Sequence, residues 1–185
     1  MPKETLKQAN KSQAHGQIGE AVVVAKCWMH GLRAYRTAAL ATHFANADIV
    51  VAAENLPHRP AWIEVKTGYP AKRGQVYLTQ YSSDGAAHKE KFGADVVVFV
   101  NIEPGVGRKH KCDGLLDFTA LSCYVVPRAV ANSLFMRQVK LEAATPKANG
   151  EPRSMRNLAV HASVADMEIY REAWHHVRHA ATGAA

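Results

Sequence analysis

The apolar positions of this chain fall into short β-branched runs set between stretches of helical spacing. The clearest run is Ala94-Asp95-Val96-Val97-Val98-Phe99-Val100, which reads as a strand buried on both faces. Two shorter runs precede it, Ala47 to Ala53 and Ala61 to Thr67. Between them, Glu54-Asn55-Leu56-Pro57-His58-Arg59-Pro60 reads as a turn, because its prolines and asparagine break both regular structures. The pattern therefore predicts an antiparallel hairpin. Upstream, residues 17–30 predict a helix stopped by Gly31, then a strand over Leu32 to Arg36 and a linker over Thr37 to Asn46. Downstream, a Gly/Pro-rich stretch through Gly74 leads to a helix within Thr79 to Phe92, so that the valine-rich strand should run parallel in the sheet. A loop over Glu103 to Lys111, short strands around Gly114 to Phe118 and Ser122 to Val126, and a helix from Pro127 to about Val139 follow.

Past Val139 the texture changes. Lys140 to Asn157 is rich in Ala, Pro, Lys, Gly and Asn and reads as a linker. Ser163 to His179 predicts a helix with Ser163 as its cap and a face of Val164, Met167, Tyr170 or Arg171, and Trp174 turned toward the core. The expected organisation is a flexible basic leader over 1–15, a core over 16–139, a linker over 140–162 and a packed C-terminal helix over 163–180. Helices alternating with strands make the class α/β, a mixed central sheet flanked by helices.

Two of the apolar runs carry acids. Asp48 lies in the first hairpin strand and Glu64 in the second, and a carboxylate there is costly to desolvate unless paired, hydrogen-bonded or bound to a metal. In Ile63-Glu64-Val65-Lys66 the two-residue period puts Glu64 and Lys66 on one face. An edge strand with one solvated polar face gives the same alternation, so the motif alone leaves both readings open. Asp48 on the neighbouring strand favours an oxygen-rich pocket beside one cation, the setting that a hard divalent ion needs. Glu20 opens the first helix, where the helix dipole favours a carboxylate and where it can also lean over that pocket.

A helix-borne Glu20, Asp48 on a hairpin strand, and Glu64-x-Lys66 on the next strand resemble the PD-(D/E)xK nuclease superfamily. The resemblance covers residues 16–101 and departs from the strict form at Ala47, where proline would precede the aspartate. It implies a restriction-endonuclease-like core and metal-dependent hydrolysis of DNA phosphodiester bonds. It further implies that Asp48, Glu64 and the Val65 carbonyl hold Mg²⁺ or Mn²⁺, with Glu20 completing the site directly or through water. Lys66 would orient or deprotonate the attacking water. Gln80, expected on the helix after the catalytic strand, would steady the phosphate or the lysine. The implied partners are double-stranded or branched DNA and a second copy of the chain, in a homodimer or higher assembly.

Composition narrows the class. With 185 residues the chain can bury roughly 70% of its unfolded surface. The formal charge of +7 suits a polyanion partner approached through a small acidic pocket. No apolar run is long enough to span a bilayer, and residues 1–17 are polar and basic rather than a signal peptide. Cys27, Cys112 and Cys123 are too scattered for a disulfide framework, which suits a reducing cytoplasm. His175, His176 and His179 read as a solvated helix face, His110, Cys112 and Cys123 lack zinc-ribbon spacing, and Arg108-Lys109-His110-Lys111 reads equally as a solvated turn or a phosphate-contacting loop. Two other functions fit the same chain: a non-catalytic nucleic-acid-binding module, and a structural subunit docked through the C-terminal helix.

Overall fold

The computed structural model describes residues 3–39, 47–52, 59–69, 74–81, 91–102, 121–147, 149–151 and 158–183. The expected strand at Gly114 to Phe118, the turn at 54–58, the Arg108–Lys111 loop and Cys112 lie outside them. Helix α1 spans Lys3–Met29, and strands β1 (Arg33–Arg36), β2 (Ile49–Ala52) and β3 (Ala61–Gly68) follow. Strand β4 is Gln75–Tyr81, β5 is Val96–Ile102 and β6 is Leu121–Pro127. Helix α2 spans Arg128–Ala144, β7 spans Leu158–Ser163, and α3 (Val164–Met167) and α4 (His175–Thr182) close the chain.

The main sheet has five strands in the order β1-β2-β3-β5-β6. Strands β2 and β3 form the expected antiparallel hairpin, with Ile49 opposite Ile63 and Val51 opposite Ala61. Strand β5 runs parallel to β3, whereas β1 and β6 add antiparallel at the two edges. The chain is thus α/β with a mixed sheet flanked by helices. On the first face, Val23 and Cys27 of α1 and Trp174 and Val177 of the C-terminal segment cover Ile49, Ile63, Val65, Val98 and Val125. On the second face, Phe135 and Leu134 of α2 and a two-stranded sheet of β4 and β7 cover Val97, Phe99, Tyr124 and Val126. All seven residues of β5 are buried, which is why its sequence is apolar without alternation.

Several boundaries differ from the pattern reading. The expected leader is helical from Lys3, since its straight-chain residues extend a helix already nucleated by the packed turns after Gly16. That helix ends as expected, with Gly31 at φ 71° and the Leu32 N–H donating to the Cys27 carbonyl. Residues 79–81 continue strand β4, and 82–90, where the expected helix falls, lie outside the described residues; Val76 and Leu78 are buried, and the register shifts between Tyr77 and Thr79. The expected 140–162 linker holds the end of α2, which stops before Pro146, and strand β7, whose Val160 and Ala162 enter the second core. The single expected C-terminal helix is broken. Ser163 does cap its start, accepting from the Asp166 N–H at 3.1 Å. Then Arg171 bridges to Tyr124 and the Glu172 N–H donates to the Cys123 carbonyl, so the chain leaves the helix to bond the edge of β6.

Candidate active site

Strand β3 is fixed at both ends before it presents any chemistry. At its start, the Trp62 N–H donates to Asp95 Oδ2 at 3.0 Å, and Arg59 pairs with the other oxygen of Asp95 at 2.8 Å. At its end, α1 and β4 approach on opposite faces. A methyl group on Gly19 would stand 1.7 Å from Thr67 Oγ1, and one on Gly68 would stand 2.2 Å from the Tyr77 ring. Both positions require glycine because backbone and side chain come this close. Burial against Gly68 and its surroundings also pushes the Tyr77 phenol above its ordinary pKa.

Between these anchors the alternation behaves as expected. Ile63 and Val65 enter the first core, and Glu64 and Lys66 project to the second face. Glu64 is 8% exposed, and its Oε1 lies 2.8 Å from Lys66 Nζ. Its Oε2 is buried with no hydrogen-bond partner among the described residues. A buried carboxylate with one oxygen neutralised and the other unsatisfied is destabilising unless a cation or donor meets it.

Asp48 closes the hairpin. The β2–β3 register ends at Ile49 opposite Ile63, with Asp48 just outside it. The Asp48 N–H donates to the Ile63 carbonyl at 2.9 Å, and its carbonyl accepts from both the N–H and the hydroxyl of Thr37. Its Oδ2 accepts the Val65 N–H at 2.7 Å. Along a strand the N–H and C=O of one residue point to the same side, so the Val65 carbonyl is directed toward Asp48 as well. Asp48 is thereby tied through the Val65 N–H to the stretch of β3 that carries Glu64 and the Val65 carbonyl. These are hard oxygen donors, with one unsatisfied oxygen among them, and they fit a Mg²⁺-type ion.

The other candidates stand apart. The Glu20 carboxylate is held by the Arg36 guanidinium, with Nε donating to Oε2 at 2.7 Å. Arg36 lies in register with Ile49, a first-face position, so this pair sits across the sheet plane from Glu64 and Lys66. Gln80 is on β4 opposite Ala159, not on a helix, and its side chain lies outside the described residues. Among the described residues no group of three or more His, Cys, Asp or Glu is placed to hold a metal ion. The His175 and His179 rings are 5.6 Å apart, and burial followed by its neighbours His175 and His179 pulls the His176 pKa down. Cys27 and Cys123 are buried thiols with pKa values pushed up to about 12, chiefly by desolvation, and are unreactive as nucleophiles. Asp95 was legible only as part of the β5 run; its function as the clamp on β3 comes from long-range contacts. No helix among the described residues is long and apolar enough to cross a membrane. No family model, curated protein or solved structure matches the chain.

Proposed function

We propose that this protein is a metal-dependent endonuclease of the PD-(D/E)xK type that hydrolyses DNA phosphodiester bonds. The observation that carries the reading is the Glu64 carboxylate, buried, half-neutralised by Lys66 and left with one unsatisfied oxygen beside Asp48. A purely structural ion pair has no need of that arrangement, whereas a cation site does. The order of elements also supports it: a first helix, three antiparallel strands with acids on the second and third, then a strand parallel to the third.

Asp48, Glu64 and the Val65 carbonyl would hold Mg²⁺ or Mn²⁺; Glu20, held by Arg36 across the sheet plane, stands outside this set. When bound, such an ion offsets charge on the phosphate and acidifies water beside it. Lys66 orients the attacking water and places positive charge against the developing pentavalent phosphate. Water oxygen bonds to phosphorus as the phosphorus–oxygen ester bond breaks; the water proton leaves to solvent, and the leaving oxygen is protonated from solvent. Asp48 is held by four backbone and side-chain bonds, so it offers its free oxygen without reorganisation. The substrate is double-stranded or branched DNA, acted on by two or more copies of the chain.

The test is incubation with supercoiled plasmid and with branched DNA in Mg²⁺, Mn²⁺ or EDTA. Wild type should cut only with metal, and Asp48→Ala, Glu64→Ala and Lys66→Ala should each lose roughly 100-fold or more of the rate while keeping their fold. Cutting at wild-type rates by all three variants would refute the site.

A further inference from the structure

The two faces of the sheet are covered unequally. Among the described residues, the second core draws side chains from β4, β5, β6, β7, α2 and α3 and none from β1, β2 or β3. Helices α1 and α4 lie on the first face of those three strands. The second face of β1–β3 is therefore not part of either core, and its residues can be read from the register.

Tyr35 of β1 stands opposite Val50 of β2, which stands opposite Trp62 of β3. Ala34 and Ile63 belong to the first face, so Tyr35, Val50 and Trp62 form one row on the second. Tyr35 is 44% exposed, and Val50 and Trp62 are partly exposed. Strands are about 4.8 Å apart, so the two rings are separated by about 10 Å across the sheet. Trp28 fixes one end of the row: its indole N–H donates to the Ala34 carbonyl at 3.1 Å, and it meets the Tyr35 ring at 83°. Arg33 shares the exposed face with Tyr35, and Arg59 precedes Trp62. Glu64 lies two residues beyond Trp62 on the same strand and face, about 7 Å along.

We propose that this row is a stacking platform for the unpaired bases of a DNA strand, which it delivers to the Asp48–Glu64–Lys66 site. The proposal rests on the nuclease reading and selects, of its two substrate forms, branched DNA with unpaired bases. Flat, partly exposed aromatic rings on a sheet face suit splayed, unpaired bases, whose π-faces are hidden in a duplex. Exposed arginines at both ends of the row, in a chain of net charge +7, suit the strand's phosphates. Beside the row, Asp95 is neutralised by Arg59.

The experiment is fluorescence anisotropy in EDTA, where no cutting interferes, with a labelled single-stranded oligonucleotide and the duplex of the same sequence. Wild type should prefer the single strand. Tyr35→Ala should weaken single-strand binding roughly 5- to 100-fold with little effect on the duplex, and Tyr35→Phe should retain it. Intrinsic fluorescence should be quenched by the oligonucleotide in wild type and less so in Trp62→Phe. Equal binding of both DNA forms, or unchanged affinity in Tyr35→Ala, overturns the platform. A change in self-association by sedimentation in Tyr35→Ala, with DNA affinity intact, would mark the face as an interface between copies and overturns it too. Platform binding without metal-dependent cutting would instead remove the nuclease reading and leave the platform standing.

Discussion

The two halves of the sheet are built to different rules. Strands β5 and β6 are covered on both faces, by α1 and α4 on one side and by α2 with β4 and β7 on the other, and nearly every residue between Val96 and Val126 that they contribute is buried. Among the described residues, β1–β3 give core side chains to the first face only, while β4 meets the second face of β3 at Gly68. The closed half can tolerate only apolar side chains and satisfied amides, so it contributes stability and a rigid edge. The open half can carry carboxylates, a lysine and partly exposed rings, because water or a ligand reaches them. Strand β3 belongs to both: its parallel ladder to β5 holds it still, and its other neighbour, β2, brings Asp48. The proposed site sits at the seam between rigidity and access.

The largest expected effect separates the halves by stability. Phe99 is fully buried and packs edge-on against Phe92 at 5.7 Å. Phe99→Ala should cost about 3–5 kcal/mol in urea denaturation, whereas Tyr35→Ala should stay within about 0.5 kcal/mol. Comparable losses at the two positions would mean that the second face of β1–β3 is packed like the other half.

That division was partly visible in the amino-acid pattern. The hairpin and β5 were legible because β-branched runs bounded by prolines admit few other structures, and Glu64 with Lys66 followed from alternation alone. Strand β4 was not, because the irregularity at Tyr77/Thr79 disrupts its period and its partner β7 is distant in the chain. Strand β7 was hidden in a stretch whose Ala, Lys and Pro content resembles a linker; it is a strand because Val160 and Ala162 find the second core. The break between α3 and α4 was invisible for a similar reason. Backbone bonds from Cys123 and Tyr124, far upstream, decide it over the local helical preference. At the site, the residue types were readable, but their partners were not: the Arg36 grip on Glu20 and the Val65 N–H on Asp48 depend on tertiary register.

A smaller effect tests whether Glu64 belongs to the open half's chemistry or to the closed half's packing. Glu64→Gln keeps the shape and the bond to Lys66 while replacing the unsatisfied oxygen with a neutral group. In EDTA its stability should equal or exceed that of wild type, by up to about 1 kcal/mol. Adding Mg²⁺ or Mn²⁺ should raise the melting temperature of wild type and leave the variant unmoved, since only the native wild-type site gains a ligand. A loss above about 2 kcal/mol in EDTA would instead make the Glu64–Lys66 pair structural.

The smallest effect concerns the layer that closes β5 and β6. His161 sits half-buried on β7 against Tyr77, with ring centroids 5.6 Å apart, and burial holds its pKa below the ordinary 6.5. The unfolded chain therefore binds a proton more readily than the folded one. The stability that His161 contributes is complete above pH 6.5 and declines as pH falls from 6.5 toward the depressed folded value. His176, also depressed, has the same sign but lies on α4, over the first face. Exchange of backbone amides separates them: acidification should speed exchange in β4 and β7 through His161, and His161→Gln should abolish that increase. The melting temperature should move by roughly a few degrees at most. In β1 and β2 any response should come through His176 on α4, which packs over the first face, and should survive His161→Gln. A response there that His161→Gln abolished would mean that the two halves open together, and the division between a closed scaffold and an open working face would not hold.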